Sequence, residues 1–512
     1  MLGDVFQQHT AIRGPVDFEQ VPSLPAASWL ATVAGGHVSI VSGEGVERTE
    51  QGVFEGCWDG PFEHFGIDTA ETVAGSGIRF HDDRIVLVSP SHTLEGLYVH
   101  EGYDRFVVSN SLAFLLEHER IQLPNDAPVC RRLATVVLGV DRYHQLLFET
   151  PSGRVMRFVN ATVTVDESGV GLTQRSLSRR FSDFEGYRDH LRDTISRIAD
   201  NGRSSFRRLR YELATTVSSG YDSAACAALA RQSGCEMALT LARGRSGASD
   251  SGKAVAEALG LAVHEVDQAT RGALDDASSP AEILASGMGG EDISLLAFER
   301  LLAGKILVTG FSGAAAWERT AALDESLVRG DISGSSLVEF RLRVGFVHLP
   351  VPVIGALRQP DIARISRSDA MRSFSMGGTY DRPIPRRILE EAGVPRELFG
   401  QRKQAVSVLG FLWPDTLPES VRDELRIYVN DRATLPRRLA NAMWYMRFSL
   451  FRGLRLGARL ARMQRVVPWL EKVTLGDDYR VFEHTAPIAS ELAFRWALEK
   501  VGPRYAVARE KP

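Results

Sequence analysis

Residues 211–230 read YELATTVSSGYDSAACAALA. Leu213 to Val217 make a largely apolar run fit for a buried strand. The turn Ser218-Ser219-Gly220-Tyr221-Asp222-Ser223 follows, and then an alanine-rich helix begins. Small residues in the turn let the backbone approach an oxyanion closely. The first helical turn aims its N–H groups at that point, and the helix dipole favours negative charge there. Ser218 and Ser223 add hydroxyl donors, and Asp222 is a carboxylate suited to magnesium beside phosphates. The stretch reads as a pyrophosphate cradle. The plainer alternative is an ordinary strand–turn–helix rich in small residues.

No Gly-Lys-Ser/Thr follows the turn, so it is not a Walker loop. The flanks agree with a nucleotide-binding sheet. Strands are expected at 211–217, 237–242, 262–266 and 305–309, with helices at 222–233, 250–259 and 291–303 between them. Such alternation implies a parallel sheet with helical crossovers, and ligands in such sheets bind at the carboxyl ends of the strands. Upstream, FEGYRDHLRDTISRIADNG has Tyr187, Leu191 and Ile195 at four-residue spacing, which predicts an amphipathic helix.

Residues 1–165 have a different texture. Short β-branched runs such as HVSIVSG, RIVLVSP and RVMRFVNATVTVD alternate with turn signals and predict a mostly antiparallel β-rich domain. Beyond about residue 415 the pattern turns helical. No acidic residue lies between Asp431 and Glu471, while Arg437, Arg438, Arg447, Arg452, Arg455, Arg459, Arg462 and Arg465 lie among Trp444, Phe448, Phe451, Leu454 and Leu460. A basic amphipathic helix of this kind suits an anionic membrane or a polyanionic partner. The reading preferred from sequence is a helix covering the catalytic sheet. The expected division is 1–165, 183–415 and 416–512.

Length and composition bound the rest. At 512 residues the chain is too long for one ordinary core. Lys plus Arg is 60 against 64 for Asp plus Glu, and the net charge of −4 argues against a general nucleic-acid binder. The start, MLGDVFQQHT, shows no signal peptide, and no apolar run is long enough to span a bilayer, so cytoplasm is the expected compartment. Cys57, Cys130, Cys226 and Cys235 form no CxxC pair, against both a zinc ribbon and a disulfide framework. His264, in the apolar run LAVHEV, reads as structural.

Several blocks resemble, in order, the asparagine synthetase superfamily. The turn at 218–223 is similar to the Ser-Gly-Gly-x-Asp-Ser loop of PP-loop ATP pyrophosphatases, with Ser219 at a glycine position. MALTLARGRSGASDSGKAVAEALGLAVHEVD (237–267) resembles the second strand and its loop, with Asp250 in the acidic place. ILVTGFSGAAAWER (306–319) looks like the strand ending in a glycine-rich loop, which puts Gly310 and Gly313 against ATP. YDRPIPRRILEEAGVPRELFGQRKQA (380–405) resembles the late segment carrying a basic active-site residue, and Lys403 matches the catalytic lysine. SPSHTLEGLYVHEGYDRFVVSNSLAFLLEH (89–118) resembles the end of a class II glutamine amidotransferase domain. The implied fold is α/β: a parallel-sheet PP-loop (adenine nucleotide α-hydrolase-like) domain between an antiparallel β-rich domain and a helical C-terminal region packed on the synthetase domain.

Two departures shape the functional expectation. The amidotransferase nucleophile is a cysteine exposed when the initiator methionine is removed, and position 2 is Leu2. The domain is therefore expected to be a structural or docking relic without glutaminase activity. The third block of the resembled family carries an aspartate after its glycines, where this chain has Ala314-Ala315-Ala316. The resemblance implies ATP and Mg²⁺ as cofactors, bound by Ser218, Ser219, Gly220, Tyr221, Asp222, Ser223, Asp250, Gly310 and Gly313, with Asp222 on the metal. It implies an AMP-forming carbon–nitrogen ligase. A carboxylate attacks the α-phosphorus, and an amine then attacks the acyl-adenylate, with Lys403, Glu339 and Tyr380 as catalytic candidates. The carboxylate and amine substrates stand open among small molecule, sugar and peptide, and self-association as a homodimer stands open too. Two alternatives remain: a pseudoenzyme that binds nucleotide or serves as a scaffold, and a base- or peptide-modifying enzyme similar to 7-cyano-7-deazaguanine synthases.

Overall fold

The computed structural model describes residues 16–167, 169–244, 249–267, 280–319, 324–378, 380–401, 417–476, 479–483, 485–488 and 490–506. Helix makes up 42% and strand 23%, so the molecule is mixed α/β, with one all-parallel sheet and two largely antiparallel ones.

The β-rich N-terminal part is formed by β1 (Val16–Gln20), β2 (Trp29–Ala34), β3 (His37–Ser42), β4 (Glu47–Thr49), β5 (Gly52–Trp58), β6 (Val73–Phe80), β7 (Arg84–Val88), β8 (Leu97–Gly102), β9 (Arg105–Ser109), β10 (Leu146–Thr150), β11 (Gly153–Phe158), β12 (Ala161–Asp166) and β13 (Gly169–Gln174). One sheet runs β1-β3-β2-β9-β8-β11-β10 and the other β13-β12-β7-β6-β5-β4. The pairing of β1 with β3 is parallel, and the others are antiparallel. Alternating residues from both sheets, among them Ala31, Ile40, Ile78, Leu87, Val99 and Val163, meet in one apolar core. The last strand ends at Gln174, beyond the boundary expected near 165.

Helix Phe184–Arg203 carries the chain to the parallel sheet. Asp183 caps its N-terminus by accepting a hydrogen bond from Gly186 N–H at 2.8 Å. Its buried stripe, Tyr187, Leu191, Ile195 and Ile198, has the spacing the sequence announced. Burial of each such side chain is worth about 1.5–3 kcal/mol.

The parallel sheet holds β14 (Glu212–Thr216), β15 (Met237–Leu241), β16 (Ala262–Val266), β17 (Lys305–Thr309) and β18 (Val347–Pro350) in the order β16-β15-β14-β17-β18. All four neighbouring pairs are parallel. From β14 the chain steps outward to β15 and β16, then returns to the other side of β14 as β17. The order therefore reverses between β14 and β17, which is where open α/β sheets bind ligands. Helix Tyr221–Gln232 follows β14, and its alanines 224, 225, 227 and 228 are fully buried, so the helix sits close on the sheet. The helix expected over 291–303 is instead a 3-10 turn, Ile293–Phe298, followed by the short helix Glu299–Leu302. β18 had no distinct sequence signal.

The C-terminal helices do not pack on the parallel-sheet region alone. Helix Glu491–Val501 lies against both Pro280–Leu284 and Glu419–Arg432. Tyr505 stacks 4.8 Å from Phe114 of the β-rich part. The helix Leu435–Leu460 does not cover the sheet either. Trp444, Phe448 and Phe451 form a separate cluster with Leu475 and Phe482. Among the described residues, no helix is long and apolar enough to cross a membrane.

Candidate active site

The turn after β14 is held by its own side chains. Ser223 Oγ accepts the Ser218 N–H at 3.0 Å and lies 2.9 Å from Ser218 Oγ, which accepts the Gly220 N–H at 3.2 Å. Ser219, at the glycine position of the resembled loop, uses its hydroxyl: it donates to Asp250 Oδ1 at 2.7 Å, and its N–H donates to Asp250 O at 3.2 Å. Asp250 thus clamps the turn to the next connection. Burial raises its pKa, against the Ser219 hydrogen bonds. Gly400 N–H donates to Ser219 O at 2.8 Å, which anchors the late segment to the same turn.

The loop after β17 presses on the helix N-terminus. A Cβ on Gly310 would sit 2.5 Å from Ser223 N, and one on Gly313 would sit 2.3 Å from Asp222 Cγ. Both glycines are therefore dictated by approach distance. Ser312 between them stands at φ 69°, in the left-handed region.

Between these loops lies a cavity of about 240 Å³. Ser218, Gly220, Tyr221, Asp222, Ser223, Asp250, Gly310, Gly313 and Tyr380 line it, so the structure brings together most of the residues expected from sequence. Ser219 stands behind the lining, on Asp250. Ala314 and Ala315 line the cavity where the resembled block has an acidic side chain, and they bring no carboxylate. Beyond them a second cavity of about 230 Å³ shares Ser312, Ala314, Ala315, Arg329 and Gly330 with the first and is walled by Leu327, Pro352 and Ala356.

The main addition to the expected set is Arg382. Its guanidinium forms an ion pair with Asp222 and lies 5.0 Å from the Tyr380 ring centre. Burial opposes its charge, but the adjacent carboxylate prevails and raises its pKa. Tyr380 Oη accepts the Tyr221 N–H at 3.2 Å. Burial, with Asp222 beside it, pushes its phenol up to about 12, so it remains a proton donor near neutrality. The far wall carries Glu291, Asp292, Arg329, Asp331 and Ser333. Asp292 is committed to structure, accepting from Gly334 N–H at 2.8 Å and from Ser336 N–H and Oγ at 3.1 and 2.6 Å. Glu291 Oε2 accepts from Ser333 Oγ at 3.0 Å. Burial, then Asp331 and Asp292, raise its pKa well above the usual carboxylate range.

Neither a scan of protein-family models nor a search of curated proteins matched the chain.

Glu339 lies elsewhere. It is 3% exposed, outside the cavity lining, and its carboxylate accepts from Ser111 Oγ at 2.7 Å and Tyr505 Oη at 2.5 Å. It is an internal tie between the β-rich part and the C-terminus, and this removes it as a base for a substrate amine. Lys403 lies outside the described residues. Among the described residues no three His, Cys, Asp or Glu converge on a metal position. Asp222 is the single carboxylate of the loop, and Arg382 already holds it. One carboxylate suffices for a magnesium ion that keeps waters and phosphate oxygens. The residues present therefore fit an ion carried in by a nucleotide and do not fit one held by the protein alone.

All four cysteines are buried. Burial pushes the Cys57 thiol up to about 11, even with Arg207 Nη1 at 3.6 Å, so it does not offer a thiolate near neutrality.

Proposed function

We propose that the protein is an ATP-dependent, AMP-forming ligase of the PP-loop type that adenylates a carboxylate and passes the acyl group to an amine. The observation that carries this reading is the placement of the 218–223 turn at the point where the sheet order reverses, closed from above by Gly310 and Gly313. A polyphosphate there would meet the N-terminus of helix Tyr221–Gln232, the hydroxyls of Ser218 and Ser223, and Arg382.

In the first step a substrate carboxylate oxygen attacks the α-phosphorus, a new P–O bond forms, and the bond to the pyrophosphate oxygen breaks. In the second an amine nitrogen attacks the acyl carbon, the acyl–phosphate bond breaks, AMP leaves and the nitrogen gives up a proton. Magnesium, taken up with the nucleotide and held by Asp222, would neutralise charge on the departing pyrophosphate. This chain's own contribution is to cradle the phosphates, to orient them through Arg382 and the Tyr221–Tyr380 pair, and to exclude water with the loop after β17. Lys403 is proposed, on the resemblance alone, to stabilise charge in the second step. The second cavity, opened by alanines 314–316, supports acyl or amine substrates larger than ammonia.

Calorimetry tests the reading: ATP with and without Mg²⁺, on the wild type and Asp222→Ala. Magnesium-dependent binding lost in the variant is the expected result, followed by AMP release when carboxylates and amines are supplied. A wild type that binds no ATP overturns it. One observation favours a second reading, a nucleotide-binding pseudoenzyme. The Asp222 carboxylate already has a cationic partner in Arg382, and Ala314 supplies no second carboxylate. Magnesium-independent binding without AMP release is its signature.

A further inference from the structure

The helix Leu435–Leu460 has two apolar faces, and the fold uses one. On the inner face the Trp444 ring stacks 5.3 Å from Phe482 and its Nε1–H donates to Phe482 O at 3.1 Å. On the opposite face Leu439, Met443, Met446, Leu450 and Leu460 stand exposed, Leu460 at 76%. Their spacing of three and four residues makes one stripe along a helix of 26 residues, about 39 Å long. Gly453 and Gly457 continue the stripe, and a Cβ on either would meet nothing within 4 Å. Just past the helix, Trp469 is 63% exposed.

Charge identifies the occupant. Nine arginines and no acidic residue lie between Asp431 and Glu471, in a protein whose net charge is −4. Arg447 is spent on the carbonyls of Thr474 and Leu475, and Arg455 lies over the Tyr479 ring. Among the described residues Arg459, Arg462 and Arg465 have no carboxylate partner. They sit around Leu460, where the stripe ends. A second copy would set like charge against like. An anionic sheet of headgroups over an apolar layer complements both features at once. We propose that this face docks the protein onto an anionic phospholipid surface, with the helix lying in the headgroup plane and its leucines and methionines in the acyl boundary. Since no described helix is long and apolar enough to cross a bilayer, the attachment is peripheral. It stands independently of any nucleotide chemistry.

The full chain, sedimented with phosphatidylcholine vesicles with and without phosphatidylglycerol, tests the proposal. Binding is expected only with the anionic lipid, with a blue shift of tryptophan fluorescence that Trp469→Ala diminishes and with loss at high salt. Arg459→Glu/Arg462→Glu and, separately, Met446→Asp/Leu450→Asp should each weaken it about tenfold or more. Both pairs are on the surface, and circular dichroism melts matching the wild type establish that they fold. Vesicle binding that both folded variants retain, or no binding to anionic vesicles at all, overturns the proposal. So does a dimer in sedimentation velocity that Met446→Asp/Leu450→Asp converts to monomer without any vesicle binding by the wild type, which would give the face to a second copy.

Discussion

At Gly313 the space left for a side chain is smaller than a methyl group, because Asp222 Cγ would be 2.3 Å from a Cβ. Gly313→Ala should therefore displace the Asp222–Arg382 pair, weaken ATP binding about tenfold or more and also lower the melting temperature, because Gly313 is buried and begins the short helix that carries Ala316 and Trp317 into the core. Calorimetry and a thermal melt on the same variant check both halves. Glu291 gives a pH prediction. Its pKa is raised by burial and by neighbouring carboxylates, so it is neutral at lower pH and ionises as pH rises. The added negative charge on the cavity wall should weaken ATP binding as pH rises, and Glu291→Gln should flatten that dependence in a binding titration. The turn at 218–223 was legible in sequence because the bonds that shape it, Ser218 with Ser223 and Gly220, are local, while those that tie it to Asp250, Tyr380, Arg382 and Gly400 are not. Arg382 was one of five arginines in the segment 380–405, and nothing in the spacing set it apart. Its role depends on contact with a residue 160 positions away, which spacing along the chain does not encode. Glu339 misled for the converse reason: the resemblance alone suggested a glutamate in this segment, while its partners Ser111 and Tyr505 come from distant segments.

Single elements follow their sequence patterns where they are long or strongly periodic. β14, β15, β16 and β17 fall within a residue or two of expectation, and so does the helix after β14. β18 is four residues and carries no alternation to detect. The helix Leu435–Leu460 shows apolar residues on opposite faces, so composition alone could not say which face the fold takes. The helix Glu491–Val501 supplies a stability prediction. Glu491 Oε1 accepts the Cys130 N–H at 2.8 Å, and burial raises its pKa to about 7, against that hydrogen bond. Its folded pKa exceeds the model-peptide carboxylate value, so its contribution to stability is fully present below about pH 4.5 and is lost as pH rises through about 7. Glu491→Gln should gain melting temperature relative to wild type at pH 8 and show no gain at pH 5. Parallel thermal melts at about these two pH values check it.

Across the whole molecule, the β-rich part and the parallel-sheet part are joined by buried charge. Arg341, after β17, is bonded to Glu55 at 2.7 and 3.0 Å and to Glu95 at 2.8 Å, with all three side chains almost fully buried. Burial alone would raise the Glu95 carboxyl, yet Arg341 and His348 hold it down at about 2. Arg341→Ala leaves two carboxylates facing each other and should cost about 3–5 kcal/mol in urea unfolding. The triple change Arg341→Met, Glu55→Leu, Glu95→Leu should recover most of it, since an apolar trio of similar volume replaces the ions. A loss well below 1 kcal/mol for Arg341→Ala would refute this account. The two textures of the chain told of two parts, but not of this weld, whose members are up to 286 positions apart. The weld also bears on inheritance. A lineage that discarded the first 165 residues would take away both carboxylates that hold the Arg341 guanidinium, so the back of the molecule keeps the front as the partner of its own buried charge.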